Sequence, residues 1–394
     1  MKLAKGFLCA STAALVLAFC GCKKDSKSDS SGGDSSKCSE SSAFACKFSP
    51  KVHEDAEIAL GLNLNLQKLA KIGMSFMDQA IAMAKGAKKE RLIEPLTEIK
   101  EKYKVFVSDP FKVLPEGVLE FVNEVGLRDA KIEWAVASVE SIAFKNDSPL
   151  PETVPGTALA IATDVNIEKI VAYAKREAAK AGFSIAEGTL AGKKAWNLLP
   201  TEEDVKRQFR EMQLYPCFTS LDGQLVLIAS SPSMLTKQIR LYLEGKGEGQ
   251  LLREFKPANG DLVRLAVKDL GAILRRLPSD KRKKIDLQQL QTGNELVLRL
   301  KDLNLALTSQ SSSQVALSLR LQTASEKDAD DLRNCANEGV SAILTEAMPK
   351  EMFDSIKSTK ITGTGSVFEG EIDNIIPIFN GIAIPNVIRF RDEK

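Results

Sequence analysis

The sequence is poor in the residue types with which most enzymes carry out chemistry. It contains one histidine, His53, among 394 residues, and no HExxH motif. A second histidine for a zinc site is therefore absent. A serine or cysteine hydrolase that uses an imidazole base could draw only on His53, which lies near Lys51 and Glu54 in a linker-like segment. We expect a solvated surface histidine without a catalytic role.

Glycine-rich phosphate loops are also missing, since neither GxGxxG nor GxxxxGK[ST] occurs. The GTGS stretch, Gly363–Ser366, is predicted to mark a bulge or bend in a strand region. Glu326–Asp331 (EKDADD) has the acid spacing of a calcium loop but lacks the following glycine and the distal glutamate. Acids that open a helix explain this stretch without a metal. The sequence therefore predicts no cofactor, no metal site and no catalytic residue.

Charge of one sign is not in excess. The chain has 54 Lys and Arg against 52 Asp and Glu, and Lys2 and Lys5 fall in the first 21 residues, so the remainder is formally neutral. A nucleic-acid-binding protein would carry a basic excess, and we expect no such partner. One basic cluster is a candidate for contact with anionic lipid headgroups, the alternative being a solvated helix end. Its members are Arg275, Arg276, Lys281, Arg282, Lys283 and Lys284.

Long apolar runs are confined to the N-terminus. The mostly apolar stretch from Phe7 to Phe19 follows Lys2 and Lys5. It is too short to span a bilayer but long enough for the hydrophobic region of a secretory signal peptide. Two cysteines follow in the stretch Phe19-Cys20-Gly21-Cys22.

This stretch resembles the lipobox of bacterial prolipoproteins, in which small residues precede a cysteine that receives a diacylglyceryl group. The resemblance implies that residues 1–21 are a signal peptide and that Cys22 is lipidated. Cys20 is the alternative, although it would place the bulky Phe19 just before the cut. Two or three acyl chains would anchor the protein durably, whereas one holds only marginally. The resemblance to enterobacterial lipoproteins, with Lys23 in place of an aspartate, favours the outer membrane, facing the periplasm or the surface, over the inner membrane.

Residues 22–51 are predicted to be a flexible tether, because the Ser-, Asp-, Lys- and Gly-rich composition of 23–36 cannot bury enough apolar surface to fold. Cys38 and Cys46 are a candidate disulfide, which an exported protein permits. We expect Cys217 and Cys335 to be two separately buried thiols. A long-range disulfide between them is the alternative.

An internal repeat organises the rest of the chain. Leu127–Ser138 and Leu298–Ser309 both alternate apolar and polar residues, as half-buried strands do, and both are followed by a further strand and a helix. We predict an α+β fold of two copies, residues 52–250 and 251–394. Each copy would have mainly antiparallel strands with helices packed on one face, because regular βα alternation is absent.

The first copy carries insertions, a helical stretch at Leu66–Gly126 and an extra hairpin and helix at Phe183–Pro216. One face of the first inserted helix predicts core packing, with an adaptable apolar groove as the alternative. That face carries Leu69, Gly73, Phe76, Met77, Ala80 and Met83.

Three local signals add detail to the repeat. Asp222-Gly223 predicts a hairpin turn. Ser231-Pro232 predicts the start of a helix that ends at Gly245. Thr201 and Asp204 predict a capping box for a short helix over residues 202–212.

These features favour a non-catalytic, membrane-anchored lipoprotein of the bacterial cell envelope. We expect it to bind an apolar ligand such as a lipid, or another envelope protein. One alternative is a hydrolase that uses two carboxylates about 5–10 Å apart. The other is a purely structural spacer, which would show neither a pocket nor an exposed apolar patch.

Overall fold

The computed structural model describes residues 46–86, 90–108, 116–140, 154–276, 298–344 and 348–381. The signal peptide, Cys20, Cys22, Cys38 and most of the predicted tether lie outside these ranges. The predicted α+β class with antiparallel strands is confirmed, since twelve strands form one sheet in the order β11-β12-β10-β9-β8-β1-β2-β3-β7-β6-β5-β4 and each neighbouring pair is antiparallel. The strands are β1 (Ile58–Asn63), β2 (Ile132–Val139), β3 (Thr157–Thr163), β4 (Phe183–Leu190), β5 (Lys193–Pro200), β6 (Cys217–Leu221), β7 (Leu225–Ala229), β8 (Asp261–Val267), β9 (Leu300–Ser311), β10 (Gln314–Thr323), β11 (Lys360–Thr362) and β12 (Val367–Ile372).

Helices cover both faces of the sheet in its central part. They are α1 (Leu66–Gly86), α2 (Glu90–Ser108), α3 (Glu116–Val125), α4 (Ile167–Lys180), α5 (Glu203–Glu211), α6 (Pro232–Glu244), α7 (Leu270–Arg276), α8 (Glu326–Ile343) and α9 (Lys350–Lys357). On β3, Leu159 and Ile161 pack with α3 and α4, whereas Ala158 and Ala160 share a cluster with α6. Successive strand residues point to opposite faces, so α6 lies opposite α3 and α4.

The helix α1 lies on the face of α3 and α4. Leu62 and Val263 are cross-strand partners on that face, and Val263 packs in the cluster that contains Leu69 and Phe76 of α1. The predicted arrangement of helices on one face therefore describes α1, α3 and α4, and α6 is the exception. Its approach is accommodated by the small alanines that β3 presents to it.

The apolar face of α1 is used for packing. Leu69, Ile72 and Phe76 contact the sheet-side cluster, and Met77 and Ala80 pack against α2. This agrees with the predicted core role of that face. No helix of the described residues has both the length and the apolar composition to cross a bilayer.

The strand order on the two sides of the β1–β8 pair is compatible with the predicted repeat but does not confirm it. Outward from that pair, β1-β2-β3-β7 on one side mirrors β8-β9-β10-β12 on the other. The pairing of Leu60 with Leu265 joins the two halves into one sheet. The duplication and its boundaries, 52–250 and 251–394, stay predictions.

Most local predictions for turns and helix ends are confirmed. Asp222 and Gly223 have φ values of 52° and 68° and connect β6 to β7. The Ser231 side chain accepts a hydrogen bond from the Met234 N–H, and α6 ends at Gly245 in the left-handed region at φ 69°. The acidic stretch from Glu326 opens α8, as predicted.

Two local predictions are corrected. The helix α5 forms, but the predicted capping box is wrong, because Glu202 is the N-cap residue and no side chain caps it. Thr201 Oγ1 instead donates a hydrogen bond to the carbonyl oxygen of Gly182, at 2.8 Å. Residues 363–366 connect β11 to β12, so the predicted bulge is wrong and the stretch is the other predicted form, a bend, placed between two strands.

Candidate functional site

A pocket of about 460 Å³ lies along the outer side of α6. The inner side of this helix is buried, with Leu235, Gln238 and Ile239 among its buried residues, whereas Ser233, Thr236, Lys237 and Arg240 lie on its outer side. The helix contributes Pro232, Ser233, Thr236, Lys237 and Arg240 to the pocket. The remaining lining comes from His53, Leu190, Lys246 and Gly247, and no acidic residue is among the residues that line it.

The predicted position of His53 at the solvated surface is wrong, because only 7% of its side chain is exposed. The segment before β1 pairs with the chain that follows α6. The Glu54 N–H donates to the Gly247 carbonyl oxygen at 2.8 Å, and the Gly249 N–H donates to the Val52 carbonyl oxygen at 2.7 Å. This pairing joins positions almost 200 residues apart, and no local sequence pattern around His53 predicts it.

The hydrogen bonds of His53 assign its proton to Nε2. The backbone N–H of Asp55 points at Nδ1 over 3.2 Å, and a backbone N–H can only donate. Nδ1 is therefore the acceptor, and the neutral ring carries its proton on Nε2. Nε2 forms no hydrogen bond with a described residue, and it lies beside Gly247 in the pocket lining. His53 thus presents an unpaired N–H donor to the pocket.

Lys237 neutralises the two carboxylates next to the imidazole. Its Nζ lies 2.9 Å from Asp55 Oδ2 and 2.8 Å from Glu140 Oε1. Partial burial opposes the charge of Lys237, but the hydrogen bonds to Glu140 and Asp55 outweigh it and raise the pKa of the ammonium. The hydrogen bond from Lys237 lowers the pKa of Asp55. Both carboxylates are thus matched by an internal cation.

The same side chains form a group of potential metal ligands. Single ligand atoms of His53, Asp55 and Glu140 lie within 4.8 Å of one another. The Lys237 ammonium already contacts both carboxylates, and the imidazole Nδ1 accepts the Asp55 N–H. The internal contacts of the group therefore satisfy the atoms that a metal would need.

Arg240 is the cation of the pocket whose charge is least compensated. It is exposed and forms no hydrogen bond or ion pair with another described residue. Lys246, by contrast, pairs with Glu244 at 2.7 Å, and this hydrogen bond lowers the pKa of Glu244. The pocket therefore offers a guanidinium that forms no ion pair with a described residue, although it lies near enough to Glu244 to help lower the pKa of that carboxyl, in addition to the His53 donor.

The basic cluster singled out from the sequence is only partly described. Arg276 pairs with Glu57, and Arg275 donates to the carbonyl oxygen of Leu298. Lys281, Arg282, Lys283 and Lys284 lie outside the described residues, and headgroup contact stays a prediction.

The Glu57 N–H bonds the carbonyl oxygen of Val139 at the end of β2, whereas the Cys46 N–H bonds Glu133 near its start. Cys46 therefore contacts β2 about 20 Å along the strand from Glu57, the partner of Arg276, at about 3.3 Å per residue.

Cys217 and Cys335 are separate thiols, as expected, but only Cys217 is buried. Cys217 is buried and Cys335 is exposed on α8, and both are free, so they do not pair. The expected burial of Cys335 is wrong, because it lies on the solvent side of its helix. Burial raises the pKa of the Cys217 thiol to about 12. Cys38 lies outside the described residues, so its disulfide with Cys46 stays a prediction.

Comparison with known proteins provides no analogy for this arrangement. No protein-family model matches the sequence, and neither the curated proteins nor the solved structures contain a match.

Proposed function

We propose that this chain is a non-catalytic binding protein of the bacterial cell envelope, anchored by acyl chains on Cys22, whose binding site is the α6 pocket. The observation that carries the binding role is the buried imidazole of His53, with an unpaired Nε2–H at a pocket lined by no acid. The lipid anchor is supported by the lipobox-like sequence, with Cys20 as the alternative attachment site.

The protonation pattern supports binding over acid–base catalysis. A general base at this position would need a free lone pair on Nε2, but Nδ1 is the nitrogen that accepts. Ligand oxygens of Asp55 and Glu140 lie within 4.8 Å of each other, closer than the separation of about 5–10 Å that a carboxylate hydrolase requires, and both bind the Lys237 ammonium. A carboxylate whose pKa is lowered, as that of Asp55 is, is a poor proton donor at neutral pH.

The nature of the lining favours a polar ligand or partner group over the apolar ligand expected from the sequence. Leu190 and Pro232 are the only large apolar side chains among the residues that line the pocket. The face of α1 that was the candidate for an apolar groove is packed against the sheet and α2. A polar group of another envelope protein remains compatible with the same pocket.

The point at which the tether meets the body leaves the pocket accessible at a membrane. Cys46 and Lys47 are fixed at the β6–β7 turn, where the Lys47 N–H donates to Gln224 Oε1 at 3.2 Å. A flexible chain over residues 22–45 has a root-mean-square span of roughly 25–30 Å. The body can therefore stand away from the headgroups and rotate.

Fractionation of cells that express the full chain tests the anchor. The wild type is expected in the membrane fraction with an acylated N-terminal Cys22. Cys22→Ser is expected in the soluble fraction, and Cys335→Ser, a matched change at an exposed cysteine, should behave as wild type. A Cys22→Ser protein that sediments with membranes, together with processing that globomycin leaves unchanged, would contradict the proposal.

A further inference from the structure

We propose that the α6 pocket binds a phosphate group, as a phosphate ester or a phospholipid headgroup. This inference rests on the proposed function, because it names the ligand class of the same pocket. Every polar side chain that lines the pocket can donate a hydrogen bond, and none of the lining residues is an acid. The lining is therefore suited to a ligand that accepts hydrogen bonds and carries negative charge.

The donors converge from two parts of the chain. Ser233, Thr236 and Arg240 follow one another at helical spacing on the outer side of α6. Seven residues of helix separate the first from the last, which is about 10 Å at 1.5 Å per residue. His53 reaches the same space from the segment before β1, beside Gly247.

The His53 donor distinguishes this pocket from an ordinary helix surface. Its side chain is 7% exposed, and its Nε2–H has no partner among the described residues. The ring is thus held in place by the protein while its Nε2–H is open to the pocket, where a bound acceptor can pair with it. Asp55 and Glu140 approach Nδ1 at 3.4 and 4.0 Å, lie outside the pocket lining, and are compensated by Lys237. The Glu54 carboxylate lies near the Nε2 side, since a Cβ built on Gly247 would be 2.9 Å from Nε2 and 3.6 Å from Glu54 Oε1.

The number of donors favours phosphate over carboxylate. A guanidinium binds two oxygens as a fork, which leaves about two of the four lone-pair sites of a carboxylate, all in one plane. The imidazole N–H and the hydroxyls of Ser233 and Thr236 are three further donors, more than those two sites can accept. The additional oxygens of a tetrahedral phosphate provide acceptors for them. Ser233 also lies in the first turn of α6, where the helix dipole favours negative charge.

Isothermal titration calorimetry with the full-length lipidated protein in zwitterionic detergent tests the proposal. Inorganic phosphate is titrated at constant ionic strength, with sodium chloride as the reference anion. We expect saturable one-site binding of phosphate and no saturable heat with chloride. Arg240→Gln should weaken binding at least tenfold, about the effect of one charge-assisted hydrogen bond. Arg207→Gln, an equal charge change on the exposed face of α5, should leave affinity within twofold of wild type.

His53 provides a second pair of variants. His53→Leu should weaken phosphate binding at least tenfold, and His53→Gln, which keeps a donor near Nε2, should recover most of the affinity. Urea unfolding of each variant verifies that it folds. If His53→Leu does not fold, the Arg240→Gln and Arg207→Gln pair decides alone.

Two further titrations separate the sources of the phosphate group. Glycerol 3-phosphate represents soluble esters, and phosphatidylglycerol vesicles, compared with phosphatidylcholine vesicles, represent headgroups. Saturable binding of either, sensitive to Arg240→Gln, supports the proposal. Absence of saturable phosphate binding, equal heats with chloride, or equal affinities of Arg240→Gln and Arg207→Gln would overturn it. That failure is distinct from failure of the envelope anchor, which the Cys22→Ser fractionation measures independently of any ligand.

Discussion

Replacement of Lys237 by methionine tests the electrostatics on which the pocket depends. Methionine keeps most of the side-chain volume but removes the ammonium that binds both Asp55 and Glu140. Two carboxylates with ligand atoms less than 4.8 Å apart would then face each other without a cation. We expect the variant to be less stable than the wild type at neutral pH, because like charges at this distance repel.

The size of the stability loss follows from how exposed Glu140 and Asp55, the two partners of Lys237, are. A hydrogen bond between charged groups contributes about 1.5–3 kcal/mol, but exposed ion pairs contribute only about 0–1 kcal/mol. Glu140 is 22% exposed and accounts for about 1–1.5 kcal/mol by this comparison. Asp55 is 55% exposed, and Lys237 itself is 37% exposed, so that second contact is discounted to about 0.5 kcal/mol. Lys237→Met should therefore lower the free energy of unfolding by about 1.5–2 kcal/mol at pH 7.

The pH dependence of this loss has a defined sign. The pKa of Asp55 is lowered in the folded state by the hydrogen bond from Lys237. Its contribution is therefore present above the unfolded pKa of about 3.9 and is lost as the pH falls through the folded value. The part of the difference between Lys237→Met and wild type that comes from Asp55 should be complete at neutral pH and should shrink below about pH 4.

Urea unfolding measures the difference through the fluorescence of Trp134 and Trp196, which are both buried. Lys360→Met is the matched control, because Lys360 also lies between two carboxylates, Asp373 and Glu371, but at an exposed position. The control should unfold at the wild-type urea concentration. A Lys237→Met protein as stable as wild type at pH 7, or an equal loss at pH 3 and pH 7, would be inconsistent with this role of Lys237.

Three further predictions concern packing, a helix end and thiol reactivity. Gly61→Ala should lower the free energy of unfolding by about 1–3 kcal/mol in a urea titration, because the added Cβ would lie 2.6–2.8 Å from ring atoms of Phe255. Gly117→Ala is the control and should not lower it, because a Cβ at that position has no heavy atom within 4 Å. Gly245→Ala should cost about 1 kcal/mol in the same assay, because φ is 69° at this helix end, and Gly245→Asn should cost less. Iodoacetamide at about pH 8.5 should modify the exposed Cys335 and spare Cys217, whose pKa of about 12 keeps the thiol protonated. Peptide mass spectrometry measures the labelling of each cysteine. Equal labelling of the two in the folded protein would be inconsistent with the burial of Cys217.

The parts of the fold that could be predicted from sequence are those with local causes. The alternation around Trp134 and the switch to helical spacing after Ile161 reflect packing within a few residues of chain. The turn at Asp222-Gly223 and the helix ends at Ser231 and Gly245 depend on residues at the turn itself. The residues that determine such features are adjacent to them in the sequence.

The candidate site could not be predicted, because it depends on long-range contacts. The segment of His53 is buried by pairing with Gly247 and Gly249, and Lys237 meets Asp55 and Glu140 from a different element. An isolated histidine between charged residues has the local pattern of a surface position. The helix α6 is the exception to the one-face arrangement for a related reason, since strand alternation does not say which face a later helix will cover.

The decisive measurement is which nitrogen of His53 carries the proton, since the binding role and the phosphate ligand both require a donor at the pocket. The chain has one histidine, so a nitrogen-15 spectrum of the imidazole in the full-length protein contains a single ring. At alkaline pH, where imidazoles are neutral, we predict a protonated Nε2 and an unprotonated Nδ1. A spectrum with the proton on Nδ1 would contradict the account, because Nε2 would then be an acceptor facing the pocket.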